Sequence, residues 1–103
     1  MTMIDEVQLQ DRLGKGKAIV IDITADWCQP CRAIAPELEK LATEHTGVEF
    51  VKIDADANPA LLERLGVMGV PTLVHFDGTG QEVARSTGAA PAAALAFRLK
   101  LGS

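Results

Sequence analysis

The chain has 103 residues, 48% of them apolar, which is enough for a single domain over residues 1–103 with one core and too apolar for global disorder. Ten Lys and Arg against fourteen Asp and Glu leave a net charge of −4 with no basic block, which argues against nucleic acid or an anionic membrane as partner. Two cysteines are too few for a disulfide scaffold, no signal-peptide pattern opens the chain, and no apolar run nears the ~18 residues of a membrane span.

Asp5-Glu6-Val7-Gln8 has the spacing of a capping box, so a first helix is expected there, burying Val7, Leu9 and Leu13 and ending at Gly14. Gly14 to Lys17 reads as a loop. Ala18 to Ile23 is an almost continuous β-branched run, the pattern of a strand covered on both faces in a mostly parallel sheet. Asp22 is the only charged residue in it.

A helix is expected from about Cys28 to His45, with Ile34, Leu38 and Leu41 on one stripe. Pro30 suits its first turn, and Pro36 should kink it. Val48 to Asp54 returns as a strand and completes a βαβ unit, right-handed by default. Asn58 and Pro59 read as cap and first position of a short helix carrying Leu61, Leu62 and Leu65 and ending at Gly66. Thr72 to Phe76 and Gln81 to Ser86 form a hairpin about Asp77-Gly78-Thr79-Gly80. Pro91 opens a last helix that should bury Leu95, Phe97 and Leu99. The closing Gly102-Ser103 reads as a cloning remnant. The pattern is that of a small α/β domain.

Trp27-Cys28-Gln29-Pro30-Cys31 carries the chemistry. The two thiols are spaced C-x-x-C where a strand gives way to a helix. A thiol there feels the positive end of the helix dipole, which favours the thiolate, and the thiolate is the species that attacks disulfides. The spacing reads as redox-active. Inert core thiols and a zinc site are the competing readings. Zinc wants four ligands, and His45 and His75 lie too far apart to supply the usual pair; no metal is expected. Both histidines read as structural.

These motifs, taken together, resemble the thioredoxin family over residues 4–101. The resemblance rests on Trp27-Cys28-x-Pro30-Cys31, Ala35-Pro36, Lys52-x-x-x-Asp56-x-Asn58-Pro59, Gly69-Val70-Pro71-Thr72, Gly88, and Asp22 six residues before Cys28. It implies a central mixed sheet, βαβ plus ββα, flanked by helices. It also implies a protein-disulfide reductase, a monomer in the cytoplasm. Cys28 would attack a substrate disulfide, and Cys31 would resolve the mixed disulfide. Asp22 would serve as base for Cys31, tuned by Lys52. Val70–Pro71 would be a cis bond against the dithiol, in a groove where a substrate chain adds as a strand. Trp27, Gln29, Pro30, Gly69, Val70, Pro71 and Gly88 would line that groove, the glycines allowing close backbone approach. No cofactor is bound; electrons would come from NADPH through a thioredoxin reductase. A dedicated carrier for one partner enzyme and a protein-binding module with an idle redox centre are the alternatives.

Three positions depart from the family pattern. Gln29 stands where glycine is usual, Thr24 stands where tryptophan is usual, and the first strand is shortened or missing. With Thr24 in place of an indole, water should reach Asp22, whose pKa is raised less for it.

Overall fold

The computed structural model describes residues 1–102; Ser103, half of the Gly102-Ser103 pair singled out in the sequence, lies outside them. Strands β1 (Thr2–Ile4), β2 (Ala18–Thr24), β3 (Val48–Asp54), β4 (Thr72–Phe76) and β5 (Glu82–Thr87) form one sheet in the order β1-β3-β2-β4-β5. The first three are parallel; β4 runs antiparallel to β2, and β5 antiparallel to β4. Helices α1 (Glu6–Arg12), α2 (Gln29–Glu44), α3 (Pro59–Leu65) and α4 (Ala92–Arg98) cover it. This is the thioredoxin fold expected from the sequence. The first strand is short but present, and it pairs with β3 from Thr2↔Val51 to Ile4↔Ile53.

Strand periodicity decides which face each residue serves. Ile19, Ile21 and Ile23 of β2 pack with Leu9 of α1 and Leu61 of α3 on one face. Val20 turns the other way, into the layer with Ile34, Leu38 and Leu41 of α2, Leu95 of α4 and Leu99 at its C-cap. Asp22 and Thr24 follow Val20 at the same period and therefore face α2. Central strand β2 is covered on both sides, which explains its unbroken apolar run.

Helix termini are satisfied in two different ways. Asp5 and Gln8 form the expected capping box on α1, with Gln8 N–H donating to Asp5 Oδ1 at 2.8 Å and Asp5 N–H to Gln8 Oε1 at 2.9 Å. Asn58 does not cap α3 with its side chain. Its Oδ1 instead accepts from Glu6 N–H of α1 at 3.2 Å, and its Nδ2 donates to the Asp54 carbonyl at 2.9 Å. The Asn58-Pro59 signal points to the nearer helix, α3; the side chain serves α1 across the fold. At α4, whose cap is Pro91, Glu37 Oε1 from α2 accepts Ala92 N–H at 2.9 Å.

Two apolar residues expected in the core are outside it. Val7 is exposed, and Phe97 is 86% exposed. On their short helices, Leu9 and the pair Leu95 and Leu99 already occupy the buried positions, and Val7 and Phe97 lie on the far side. The hairpin's second strand begins one residue later than expected, at Glu82, and runs to Thr87. Helix α2 is continuous through Pro36, whose missing N–H leaves the Arg32 carbonyl without a helical donor.

Asn58→Ala should lower the unfolding free energy by about 1–2 kcal/mol, because it strips two hydrogen bonds that join α1 to the end of β3. Urea denaturation followed by circular dichroism checks this; an unchanged midpoint would show that water replaces both bonds.

Candidate active site

The site is built on the start of α2. Cys28 is the N-cap residue, with extended backbone dihedrals, and its Sγ accepts the Cys31 N–H at 3.2 Å. A cap normally presents an oxygen to one of the first free N–H groups; here the acceptor is sulfur. The two cysteines are joined as a disulfide, with Cα atoms 5.3 Å apart. Cys28 and Cys31 are only 3% and 5% exposed, and they pack with Ala25 and Val70. The inert-core reading placed two separate thiols here; the structure has a closed ring at a helix N-terminus.

Val70–Pro71 is cis, and Val70 lies against the cysteine cluster. Two hydrogen bonds hold that segment. Gly88 N–H donates to the Pro71 carbonyl at 2.9 Å, and Thr72 Oγ1–H donates to the Gly69 carbonyl at 2.7 Å. Gly88 has φ +89°, a conformation that favours glycine, so its side-chain-free backbone is what delivers that N–H. At Gly69 a Cβ would meet no atom within 4 Å. Packing within the described chain therefore does not explain glycine there.

Trp27 is 67% exposed, which rules out simple core packing. Its indole N–H donates to Asp56 Oδ2 at 2.9 Å, so the ring is held at one edge beside the disulfide. Asp56 is a positioning residue that the sequence reading did not assign to the site, although it stands in the Lys52-x-x-x-Asp56 pattern. Nothing in that spacing identifies an indole as its partner. Gln29 and Pro30 occupy the exposed first turn of α2.

Asp22 is 5% exposed, so it is buried rather than solvated at a strand end. Burial pushes its pKa up to about 6, against a weaker downward pull from the Lys52 charge. The register pairs Asp22 directly with Lys52 across β2 and β3, on the face toward α2. Lys52 is thus at the site rather than a distant surface lysine. A cleft of about 340 Å³ joins Asp22, Thr24, Cys31 and Lys52. His45 caps the end of α2, and His75 bonds through Nδ1 to the Leu99 carbonyl at 2.7 Å; neither reaches the cysteines. Among the described residues no cluster of three or more His, Cys, Asp or Glu side chains could hold a metal, and no helix is long and apolar enough to cross a membrane.

The family model for Thioredoxin matches residues 2–100. The chain belongs to the thioredoxin family. It is 46% identical over 92 residues to a thioredoxin of Streptomyces clavuligerus, covering 88% of this chain and 84% of that one. It is 40% identical over 86 residues to a bifunctional thioredoxin reductase/thioredoxin of Mycobacterium leprae, covering 82% of this chain and 19% of that protein. The solved thioredoxin of Fasciola hepatica superposes with a TM-score of 0.80 at 36% identity, covering 97% of each chain. With its cysteine pair joined at the start of α2, this thioredoxin-family protein is a thiol–disulfide oxidoreductase that reduces protein disulfides.

Two measurements follow from the site. Asp22 has a folded pKa of about 6, above the unfolded value of about 3.9. Its contribution is therefore fully favourable below pH ~4 and becomes a cost that grows to pH ~6 and then stays constant. Asp22→Asn should raise the unfolding free energy at pH 7 by up to about 3 kcal/mol, seen as a higher Tm, with the gain gone at pH 4. A lower Tm at pH 7 would mean that the carboxylate is compensated by its surroundings. Separately, Asp56→Ala should reduce the fluorescence anisotropy of Trp27, the only tryptophan. Unchanged anisotropy would show that packing alone holds the indole.

Proposed function

We propose that Cys28 is the attacking sulfur and Cys31 the resolving one, in a protein reductant working in the cytoplasm. The single observation that carries this assignment is the hydrogen bond from Cys31 N–H to Cys28 Sγ at the helix start. It favours negative charge on Cys28, and Cys31 receives no such bond within the helix's first turn. In the first step the Cys28 thiolate attacks one sulfur of the substrate disulfide. A mixed disulfide forms, and the other substrate sulfur leaves as a thiolate.

In the second step Cys31 attacks Cys28 Sγ. The bond to the substrate breaks, its electron pair stays on the substrate sulfur, and the Cys28–Cys31 bond forms. Proximity makes this step effectively unimolecular. Cys31 must give up its proton first, and Asp22 is the base we assign. A carboxyl with pKa about 6 is largely ionised at neutral pH and closer in basicity to a thiol than an ordinary aspartate. Lys52, paired with it in register, limits how far burial raises that pKa.

The substrate chain would lie along Gly69-Val70-Pro71, with Trp27 flanking it and Gly88 fixing the segment from behind. The open space beside Gly69 and the exposure of Trp27 support this placement. Gln29 and Pro30, in the exposed first turn, would meet the partner's surface. Electrons would return from NADPH through a thioredoxin reductase. The fusion named in the Mycobacterium leprae relative supports this donor, since it joins a reductase to a domain like this chain.

Cys28→Ser should abolish insulin disulfide reduction, whereas Cys31→Ser should still attack insulin and accumulate as a covalent adduct, visible on a non-reducing gel. Full reduction by the Cys28→Ser protein would reverse the roles. Retention of biological activity by it would favour a binding module.

A further inference from the structure

The cleft that reaches Asp22 is separate from the groove of the cis segment, because Trp27, Val70 and Pro71 do not line it. It lies between β1 and α2, with Met3 and Ala35 among its walls. Met3 is 49% exposed and Ala35 is exposed, so both can be touched from outside. Thr24 is half-buried in the wall, and its small side chain leaves the space open. The volume of about 340 Å³ lies at the low end of small-molecule sites.

The chemistry of the wall selects the ligand. Asp22, Asp26 and Glu39 stand against Arg32 and Lys52, so neither sign dominates and an ion gains little there. The Met3 thioether and the two cations all suit an aromatic ring, whose face is electron-rich. The edge of such a ring is positive and suits a carboxyl. Asp22 is the one buried carboxyl in the lining, and its Oδ1 has no hydrogen-bond partner among the described residues. A ring that bears one N–H meets both demands, with its face for Met3 and the cations and its donor for Asp22. We propose that this cleft is a binding site for small, uncharged, electron-rich aromatics carrying a ring N–H, of which indole is the simplest probe, held with the N–H toward the Asp22 carboxyl. The site involves neither the sulfurs nor the groove, and it does not rest on the roles assigned to Cys28 and Cys31.

Titration of the oxidised protein with indole, followed by NMR of backbone amides and methionine methyls, tests the site. Saturable shifts are expected at Met3, Thr24, Ala35 and Lys52 and not at Trp27 or Val70, with a Kd of about a millimolar, the scale for so few atoms. N-methylindole keeps the ring and loses the donor, so it should bind at least about threefold more weakly. Thr24→Trp puts a tethered indole into the same space and should abolish saturation. Ala35→Leu, at an exposed helical position where folding is not at stake, should weaken binding as well. Shifts that never saturate, shifts centred on Trp27 or Phe97, equal affinity for N-methylindole, or unchanged binding in both variants would each overturn the proposal.

Discussion

The sulfur of Cys28 stands where a serine or aspartate oxygen caps an ordinary helix, and the rest of the site is arranged around that substitution. A helix start leaves several N–H groups without partners, and they favour negative charge at whatever meets them. Cys28 Sγ takes the Cys31 N–H, and the second cysteine is the residue that supplies it. The same three-residue spacing therefore does two jobs. It gives the first sulfur a donor, and it puts the second sulfur close enough to close the ring, with Cα atoms 5.3 Å apart. Pro30 fits this turn because it lacks an N–H in a place where none is needed.

Sheet geometry sets the one buried carboxyl of β2 beneath the helix. The period of β2 turns Val20, Asp22 and Thr24 toward α2 and sends Ile19, Ile21 and Ile23 to the opposite core. A carboxyl on the covered face loses its water, and the result is a pKa of about 6. Lys52 moderates this from the neighbouring strand because the parallel register sets it opposite Asp22. A leucine at position 22 would suit the core better. The carboxyl is a local inconsistency in an otherwise apolar strand, and such inconsistencies gather where chemistry is done.

Two long-range contacts complete the surface around the sulfurs. Asp56, just past the end of β3, holds the Trp27 indole by its N–H while the residue stays largely exposed. Gly88, just past the end of β5, reaches back to the Pro71 carbonyl and ties the cis segment to the sheet. Both anchors sit at strand ends, where the backbone is already fixed by the ladder. The loops they hold are correspondingly well placed without being part of the sheet.

Local pattern alone placed nearly every element. Capping at Asp5, the β-branched run of β2, the apolar stripe of α2 and the glycine stop at Gly66 are short-range signals, and each is found where expected. The dithiol and its place at a helix start were equally legible, because spacing within five residues determines them. Tertiary structure decided the rest. Asn58 serves α1 rather than α3, Val7 and Phe97 lie outside the core, and Asp56 meets Trp27. The cleft joining Asp22, Thr24, Lys52 and Cys31 also has no trace in any one segment, since β1, β2, β3 and α2 all line it. Periodicity states that a residue can face a partner; only the packing of helices on a finished sheet chooses which partner, and how much water stays between them.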